Sequence, residues 1–263
     1  MSKIKEIMVW GENSRLSGHL AFRLKEAARP SVLADYDLGN PLMSSRVDFS
    51  SCRAEETSGN RAWIDVRKCI HCGTCEVRCP SASIHDLKVY PQECRGCGTC
   101  ISLCAAEAIS LRCDIRIRWE IYRDSSGVLI RAPAGPFPDI TTAVIKQEGL
   151  KYTQLLQREI LISRGPSILD DSLYTSLDSV KLVVAAIDPA VTDLARLKRI
   201  LHICQQFRIP TVACLIGVGI ETPGQIEKWR NKLEIEIITC LRLDENSGDG
   251  PDRLWKDIQG LIV

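Results

Sequence analysis

The 263-residue sequence lacks a long apolar run, an excess of charge of either sign and a signal-peptide core. Its longest apolar stretch, residues 182–187, is far shorter than the ~20 residues that span a bilayer. No apolar signal-peptide segment follows Met1, and the formal net charge is only +1. These features predict no membrane span, no nucleic-acid partner and a cytoplasmic location.

Cysteine is the residue type in excess. The chain has 13 cysteines, and eight of them form two runs that both read C-x2-C-x2-C-x3-C. The first run consists of Cys69, Cys72, Cys75 and Cys79, and the second of Cys94, Cys97, Cys100 and Cys104. This repeated spacing is the pattern of bacterial ferredoxins that bind two [4Fe–4S] clusters.

Two other uses of cysteine fit this pattern less well. A disulfide framework is typical of small secreted domains, and this chain has no secretory signal. Structural zinc uses two C-x2-C pairs per ion and does not require a further thiolate at the end of both runs. The runs therefore favour iron–sulfur clusters. We expect the five scattered cysteines to be non-ligands: Cys52, Cys113, Cys204, Cys214 and Cys240.

The ferredoxin pattern also predicts how the ligands are shared. The fourth cysteine of each run binds the cluster that the other run encloses. Cluster 1 is therefore expected on Cys69, Cys72, Cys75 and Cys104. Cluster 2 is expected on Cys94, Cys97, Cys100 and Cys79. The segment 61–112 should form a small ferredoxin domain, whose folding depends on the clusters because its apolar core is marginal at that size.

The flanking sequence predicts alternating strands and helices. We expect strands at 5–10, 31–34, 115–121, 159–163, 182–187, 210–216 and 236–241. We expect helices at 17–28, 193–207 and 223–232, and a loop at 243–251. Such alternation predicts an α/β domain with a mostly parallel sheet and helices on both faces. This domain would comprise residues 1–60 and 113–263, so Asn60 and Cys113 should lie close together at the ends of the insert.

The order of these parts resembles the MinD/ParA-like P-loop ATPases that carry an inserted two-cluster ferredoxin domain. Residues 34–42, ADYDLGNPL, are similar to the family segment D-x-D-x-x-x-P/N-x-L. Residues 183–194, VVAAIDPAVTDL, are similar to its V-T-E-P-T-x-x-x-x-D-L segment. The resemblance implies a P-loop NTPase-like fold interrupted by a bacterial-type ferredoxin α+β insert. It also implies a homodimer, or a heterodimer with an intact MinD-like paralogue.

The phosphate-binding loop of that family is degenerate here. A P-loop, G-x-x-x-x-G-K-[ST], supplies a lysine to the β- and γ-phosphates and a hydroxyl to Mg²⁺. When the motif is aligned from Gly11, Leu16 replaces the second glycine, Ser17 replaces the lysine and Gly18 replaces the hydroxyl residue. The loop therefore predicts that nucleotide is not bound, and ATP is disfavoured as a cofactor.

Two further departures remove charge that the reaction needs. Glu12 stands where the family has an additional lysine, and Ser163 stands where it has a metal-associated aspartate. Phosphoryl transfer depends on such positioned charges. We therefore expect no ATP hydrolysis by this chain alone, and we assign no catalytic residue.

Two functions remain open. The chain is either an electron-transfer protein, which passes single electrons between partner proteins through two [4Fe–4S] clusters, or a pseudo-ATPase subunit. In the second case it would pair with an intact paralogue in metallocluster assembly or regulation. The eight cluster ligands are complete whereas the ATP machinery is not, which favours electron transfer with a protein redox partner.

Overall fold

The computed structural model describes residues 4–42, 47–90, 93–132, 138–169, 171–217, 223–233, 235–241 and 249–261. The strands are β1 (Lys5–Trp10), β2 (Ser31–Asp35), β3 (Arg53–Ile64), β4 (Ile84–His85), β5 (Lys88–Val89), β6 (Ile109–Asp124), β7 (Gly127–Arg131), β8 (Ile160–Arg164), β9 (Val180–Ile187), β10 (Thr211–Ile216) and β11 (Glu236–Leu241). The helices are α1 (Ser14–Ala27), α2 (Thr74–Val77), α3 (Thr99–Ser102), α4 (Pro138–Leu155), α5 (Asp171–Leu177), α6 (Leu194–Gln206), α7 (Pro223–Leu233) and α8 (Asp249–Leu261).

Nine of the described strands form one mostly parallel sheet. Their order is β11–β10–β9–β1–β8–β2–β7–β6–β3. The seven strands from β11 to β7 are parallel to one another. At one edge β6 pairs antiparallel with β7, and β3 pairs antiparallel with β6. The predicted mostly parallel sheet is confirmed.

Helices cover both faces of this sheet because the central strands are apolar on both faces. On one face Ile7 and Val9 of β1 share a core with Leu20 of α1 and Leu254 of α8. On the other face the alternate residues Met8 and Trp10 belong to a core that contains Ile145 of α4, Leu173 of α5, Leu197 of α6 and Trp229 of α7. The alternation of side chains along β1 thus separates the two cores.

Most elements predicted from periodicity are present within a few residues of their expected bounds. Outside the cysteine-rich segment, strands β3 and β7 and helices α4, α5 and α8 were not expected. The predicted loop at 243–251 is wrong at its end, because α8 begins at Asp249; the remainder of that loop lies outside the described residues. Pro251 is compatible with α8 since a helix tolerates proline in its first turn. No helix in the described ranges is long and apolar enough to cross a membrane.

The long hairpin strands β3 and β6 connect the parallel sheet to the cysteine-rich segment. They pair from Arg53 opposite Ile121 to Ile64 opposite Ile109. Asn60 and Cys113 are direct partners in this ladder, which confirms that they lie close together. Near the sheet Trp119 is buried and Arg118 is exposed, as expected for a half-exposed strand. We call this pair of strands the β3–β6 ribbon.

Gly127 predicts a sharp stability contrast. Its φ is +132°, and a Cβ built there would lie 1.9 Å from the carbonyl oxygen of Ser31 on the paired strand β2. We expect Gly127→Ala to lower the free energy of unfolding by about 2–4 kcal/mol, measured by urea denaturation. Gly260→Ala in α8 is the control, because a Cβ there meets nothing within 4 Å. Equal midpoints for the two variants would contradict this account.

Candidate iron–sulfur centres and nucleotide site

The two cysteine runs fold into the same backbone shape. Each run places its third cysteine in a short helix, α2 or α3, that begins after a left-handed glycine. Residues separated by 25 positions have matching positive φ angles: His71 and Gly96 (59° and 63°), Gly73 and Gly98 (69° and 76°), and Ala82 and Glu107 (both 47°). The module is therefore an internal repeat with two equivalent halves.

The cysteines expected to bind cluster 1 line one cavity. Cys69, Cys72 and Cys75 of the first run meet Cys104 of the second run there. Apolar side chains complete the wall, among them Leu87 from the turn between β4 and β5. The structure thus brings the fourth cysteine of one run to the first three of the other.

The cysteines expected to bind cluster 2 interact electrostatically with one another. Burial raises the pKa of the Cys100 thiol, and the neighbouring thiolates of Cys94, Cys97 and Cys79 add to this shift. Hydrogen bonds from Thr99 lower the pKa of Cys97, and the charge of Cys79 acts against them. Cys79 therefore lies with the second run, although it belongs to the first in sequence.

Backbone N–H groups point at cysteine sulfurs in both halves. The amides of Ser83 and Ala108 donate to Sγ of Cys79 and Cys104 at 3.3 Å in each case. The amide of His71 donates to Cys69 Sγ at 3.4 Å. Such donors stabilise thiolates, the form that binds iron. Burial acts against deprotonation of Cys79, but hydrogen bonds from Ser83 and Ser81 lower its pKa to about 7.

The donor set fits four-iron clusters in its chemistry and its arrangement. Twelve cysteines, the eight of the two runs together with Cys52, Cys113, Cys204 and Cys214, carry free thiols. A [4Fe–4S] cluster takes four thiolates spread around a cavity, which is the arrangement of Cys69, Cys72, Cys75 and Cys104.

Both centres reach the protein surface. Cys72 in one half and the equivalent Cys97 in the other are exposed, whereas Cys75 and Cys100 are buried. Within the first run, Ile70 is 66% exposed, although apolar residues of this size usually pack inside. Each half therefore exposes one of its cysteines at the protein surface.

A buried arginine fills the region where the P-loop motif would hold phosphate and metal. Arg164 ends β8 and is only 2% exposed. Its Nε lies 2.7 Å from Asp35 Oδ1, and its Nη2 lies 3.0 Å from Asp37 Oδ2. The guanidinium also donates to the carbonyl oxygens of Ser14 and Asn40. One internal cation thus pairs with both aspartates of the D-x-D segment.

The position of Arg164 is coupled to the loss of the P-loop hydroxyl residue. A Cβ built on Gly18 would lie 2.6 Å from Arg164 Nη1 and 2.7 Å from Leu42 Cδ1. A serine or threonine at position 18 therefore requires Arg164 to move away from its carboxylate partners. Burial raises the pKa of Asp35, and the Arg164 guanidinium and the Leu42 amide act in the opposite direction.

The other residues of the degenerate loop also have internal partners. Glu12 accepts a hydrogen bond from the Asp193 amide at 2.8 Å and pairs with Arg196 at 2.9 Å. The Ser17 hydroxyl donates to the Ser14 carbonyl within α1. Gly11 is buried beside the carbonyl oxygen of Ala186 on β9.

Sequence reasoning identified the missing P-loop residues but not what replaces them. Arg164 and Arg196 were not assigned any role, although both contribute cations to this region. The available signal was Arg164 itself, a charged residue that directly follows Ser163 at the end of an apolar strand.

Removal of Arg164 should leave two buried carboxylates without a counter-charge. We expect Arg164→Met to lower the free energy of unfolding by about 3–5 kcal/mol, measured by urea denaturation. The triple variant Arg164→Met, Asp35→Asn, Asp37→Asn should recover part of this loss, since it removes the uncompensated charge as well. A single variant as stable as the wild type would refute the role of this ion pair.

Comparisons with known proteins agree with both parts of the chain. Residues 62–85, which contain the whole first cysteine run, match the 4Fe-4S binding domain family. Comparison with curated protein sequences gives no significant match.

Solved structures of similar fold are ATPases and partition proteins. The cell division ATPase MinD of Pyrococcus furiosus is 13% identical, with a TM-score of 0.51, and the alignment covers 99% of this chain and 100% of that one. A plasmid partition protein from Borrelia burgdorferi is 10% identical, with a TM-score of 0.54 and the same coverage. Another structure of a Borrelia burgdorferi partition protein, bound to AMPPNP, has 9% identity, a TM-score of 0.50 and 98% coverage of both chains. This chain therefore has the fold of the MinD/ParA P-loop ATPases and carries a 4Fe-4S binding domain within it.

Proposed function

We propose that this chain is an electron-transfer protein that carries two [4Fe–4S] clusters on a nucleotide-incompetent MinD-like scaffold. Cluster 1 would be bound by Cys69, Cys72, Cys75 and Cys104, and cluster 2 by Cys94, Cys97, Cys100 and Cys79. The ferredoxin domain would be residues 61–112, and the scaffold residues 1–60 and 113–263. The observation that carries the proposal is the assembly of each fourth cysteine with the other run.

The clusters supply one-electron chemistry, and the chain supplies their environment. Its residues hold the thiolates, direct N–H groups at the sulfurs and keep the inner cysteines away from water. The exposed edges at Cys72 and Cys97 suit exchange of electrons with a docked protein. The partner would be a redox protein.

Nucleotide incompetence is supported by the internal ion pairs. An incoming Mg²⁺–nucleotide would have to displace Arg164 from Asp35 and Asp37, which are all nearly inaccessible to water. Breaking such a buried pair costs several kcal/mol. The loop has no lysine whose contact with the phosphates could offset this cost. The scaffold would then hold one conformation without a nucleotide cycle.

The same ion pairs favour one second candidate, the pseudo-ATPase subunit. A scaffold that is fixed by Arg164 could form a heterodimer with an intact MinD-like paralogue and act in metallocluster assembly or regulation. The ferredoxin domain would then be a docking or redox-sensing element. The two candidates differ in whether the activity of an intact ATPase changes on addition of this chain.

Cluster content tests the electron-transfer proposal. Anaerobically purified protein should contain about eight iron and eight sulfide per chain and be reduced reversibly, because two [4Fe–4S] clusters account for both numbers. Cys79→Ser should leave the same residual electron paramagnetic resonance spectrum as Cys97→Ser. Cys104→Ser should resemble Cys72→Ser.

The grouping of these four variants is the control for crossed ligation. If Cys79→Ser resembles Cys72→Ser instead, the ligand assignment is wrong. Bound zinc without acid-labile sulfide in the wild-type chain would overturn the function itself.

Calorimetry with MgATP tests the closed nucleotide site. We expect no binding by the purified chain, because Arg164 and Glu12 are held by internal partners and the phosphate-binding lysine is missing. MinD of Pyrococcus furiosus, measured in parallel, is the positive control. Micromolar affinity together with phosphate release would contradict incompetence. An altered hydrolysis rate of an intact homologue upon mixing would favour the second candidate.

A further inference from the structure

The two halves of the ferredoxin domain differ in the surroundings of their fourth cysteines, Cys79 and Cys104. Cys79 and Cys104 are equivalent in the repeat, and each accepts an N–H bond at 3.3 Å from the residue four positions later. The turns that follow them also match, since Ala82 and Glu107 have the same φ of 47°. Backbone conformation therefore does not distinguish the two sulfurs.

Side chains do distinguish them. The hydroxyl oxygen of Ser83 lies 3.2 Å from Cys79 Sγ, and that of Ser81 lies 3.6 Å from it. The equivalent residues beside Cys104 are Ala108 and Ala106, which have no hydroxyl. Cys79 thus has O–H donors that its counterpart lacks.

The Ser83 hydroxyl must donate once iron is bound. A thiolate ligand has no proton to give, so the hydrogen bond can run only from the oxygen to the sulfur. Ser83 is 1% exposed, and water is therefore excluded from this contact. The hydrogen bond gains strength in such a poorly solvated position.

The other hydroxyl contacts to cluster cysteines occur in both halves at equivalent positions. Thr74 interacts with Cys72 in one half, and Thr99 interacts with Cys97 in the other, with its Oγ1 3.4 Å from the sulfur. These threonines are equivalent in the repeat and affect the two centres alike. Among the hydroxyls of the described residues that contact cluster cysteines, the imbalance lies at Cys79.

Cluster 2, whose expected ligand Cys79 has the additional O–H donors, is also the cluster nearer the parallel sheet. Cys94 accepts a hydrogen bond from the Ala62 amide on the β3–β6 ribbon at 3.5 Å. The next glycine, Gly96, lies so close to the ribbon that a Cβ there would be 2.1 Å from the Asn60 carbonyl oxygen. The cluster 1 cavity is lined by Ile64 and Ile109, the last pair of the ribbon and the one farthest from the sheet, and by Leu87 at the turn of the β4–β5 hairpin.

We propose that Ser83 raises the reduction potential of cluster 2 above that of cluster 1, so that an added electron resides on the cluster nearer the scaffold. Reduction adds one negative charge, part of which lies on the thiolate sulfurs. A hydrogen-bond donor to a sulfur stabilises this more negative state more than the oxidised state and so raises the potential. The inference rests on the proposed two-cluster function and specifies the direction of electron flow within it.

Two reciprocal substitutions test the proposal on the full chain. Ser83→Ala removes the hydroxyl, and Ala108→Ser adds one at the equivalent position beside Cys104. Both midpoint potentials are measured by anaerobic titration with dithionite, followed by electron paramagnetic resonance, and iron and sulfide are counted in each preparation. We expect Ser83→Ala to shift only the higher potential downwards and Ala108→Ser to shift only the lower potential upwards.

The outcomes separate this inference from the proposed function. If the wild type holds one cluster or none, the two-cluster function fails. If it holds two clusters and neither variant shifts a potential, the role of Ser83 is refuted while the function stands. Should Ser83→Ala lose a cluster, Ala108→Ser decides alone: an upward shift of the lower potential supports the proposal, and unchanged potentials overturn it.

Discussion

The ion pairs of Arg164 are the interaction on which the scaffold depends. A parallel α/β sheet leaves a crevice at the carboxyl ends of its strands, where ligands normally bind. Here β2 ends at Asp35 and β8 ends at Arg164, so a carboxylate and a guanidinium face each other inside that crevice. A P-loop protein uses charged side chains in this crevice to bind metal and phosphate. Here the charged side chains pair with one another. The same contact links β8, the segment after β2 and the beginning of α1.

The ferredoxin domain depends on a different kind of constraint, the close contact of backbones. It joins the sheet through the β3–β6 ribbon, and Gly96 allows the second cysteine run to lie against Asn60 without a side chain between them. Its small apolar cluster includes cysteines themselves, so metal binding and core formation are one process there. Two apolar cores pack the scaffold and charge pairs link the elements around its crevice, whereas the domain would be held by its clusters.

Local patterns in the sequence predicted much of the fold and little of what replaces the nucleotide. Strands β1 and β11 were predicted at their bounds because each contains a short segment in which apolar residues predominate. The short helix α5 and the amphipathic α8 were missed, since one is only two turns long and the other begins with Asp-Gly-Pro. Cysteine spacing predicted which cysteines lie together, because the ferredoxin pattern groups the fourth cysteine of each run with the other run. The partners of Arg164 could not be predicted, as they come from residues more than 120 positions away.

In the proposed function, a fixed scaffold would carry an unequal pair of clusters. A nucleotide switch changes shape when phosphate contacts form and break, but here Arg164, Asp35 and Asp37 pair with one another in that region. What could still change state is the charge of the clusters, and the Ser83 hydroxyl would then bias where that charge resides. The proposed gradient would lead from the cluster 1 cavity beside Leu87 towards the ribbon at Ala62. The chain would thus keep the fold of an ATPase while directing electrons towards the parallel-sheet scaffold.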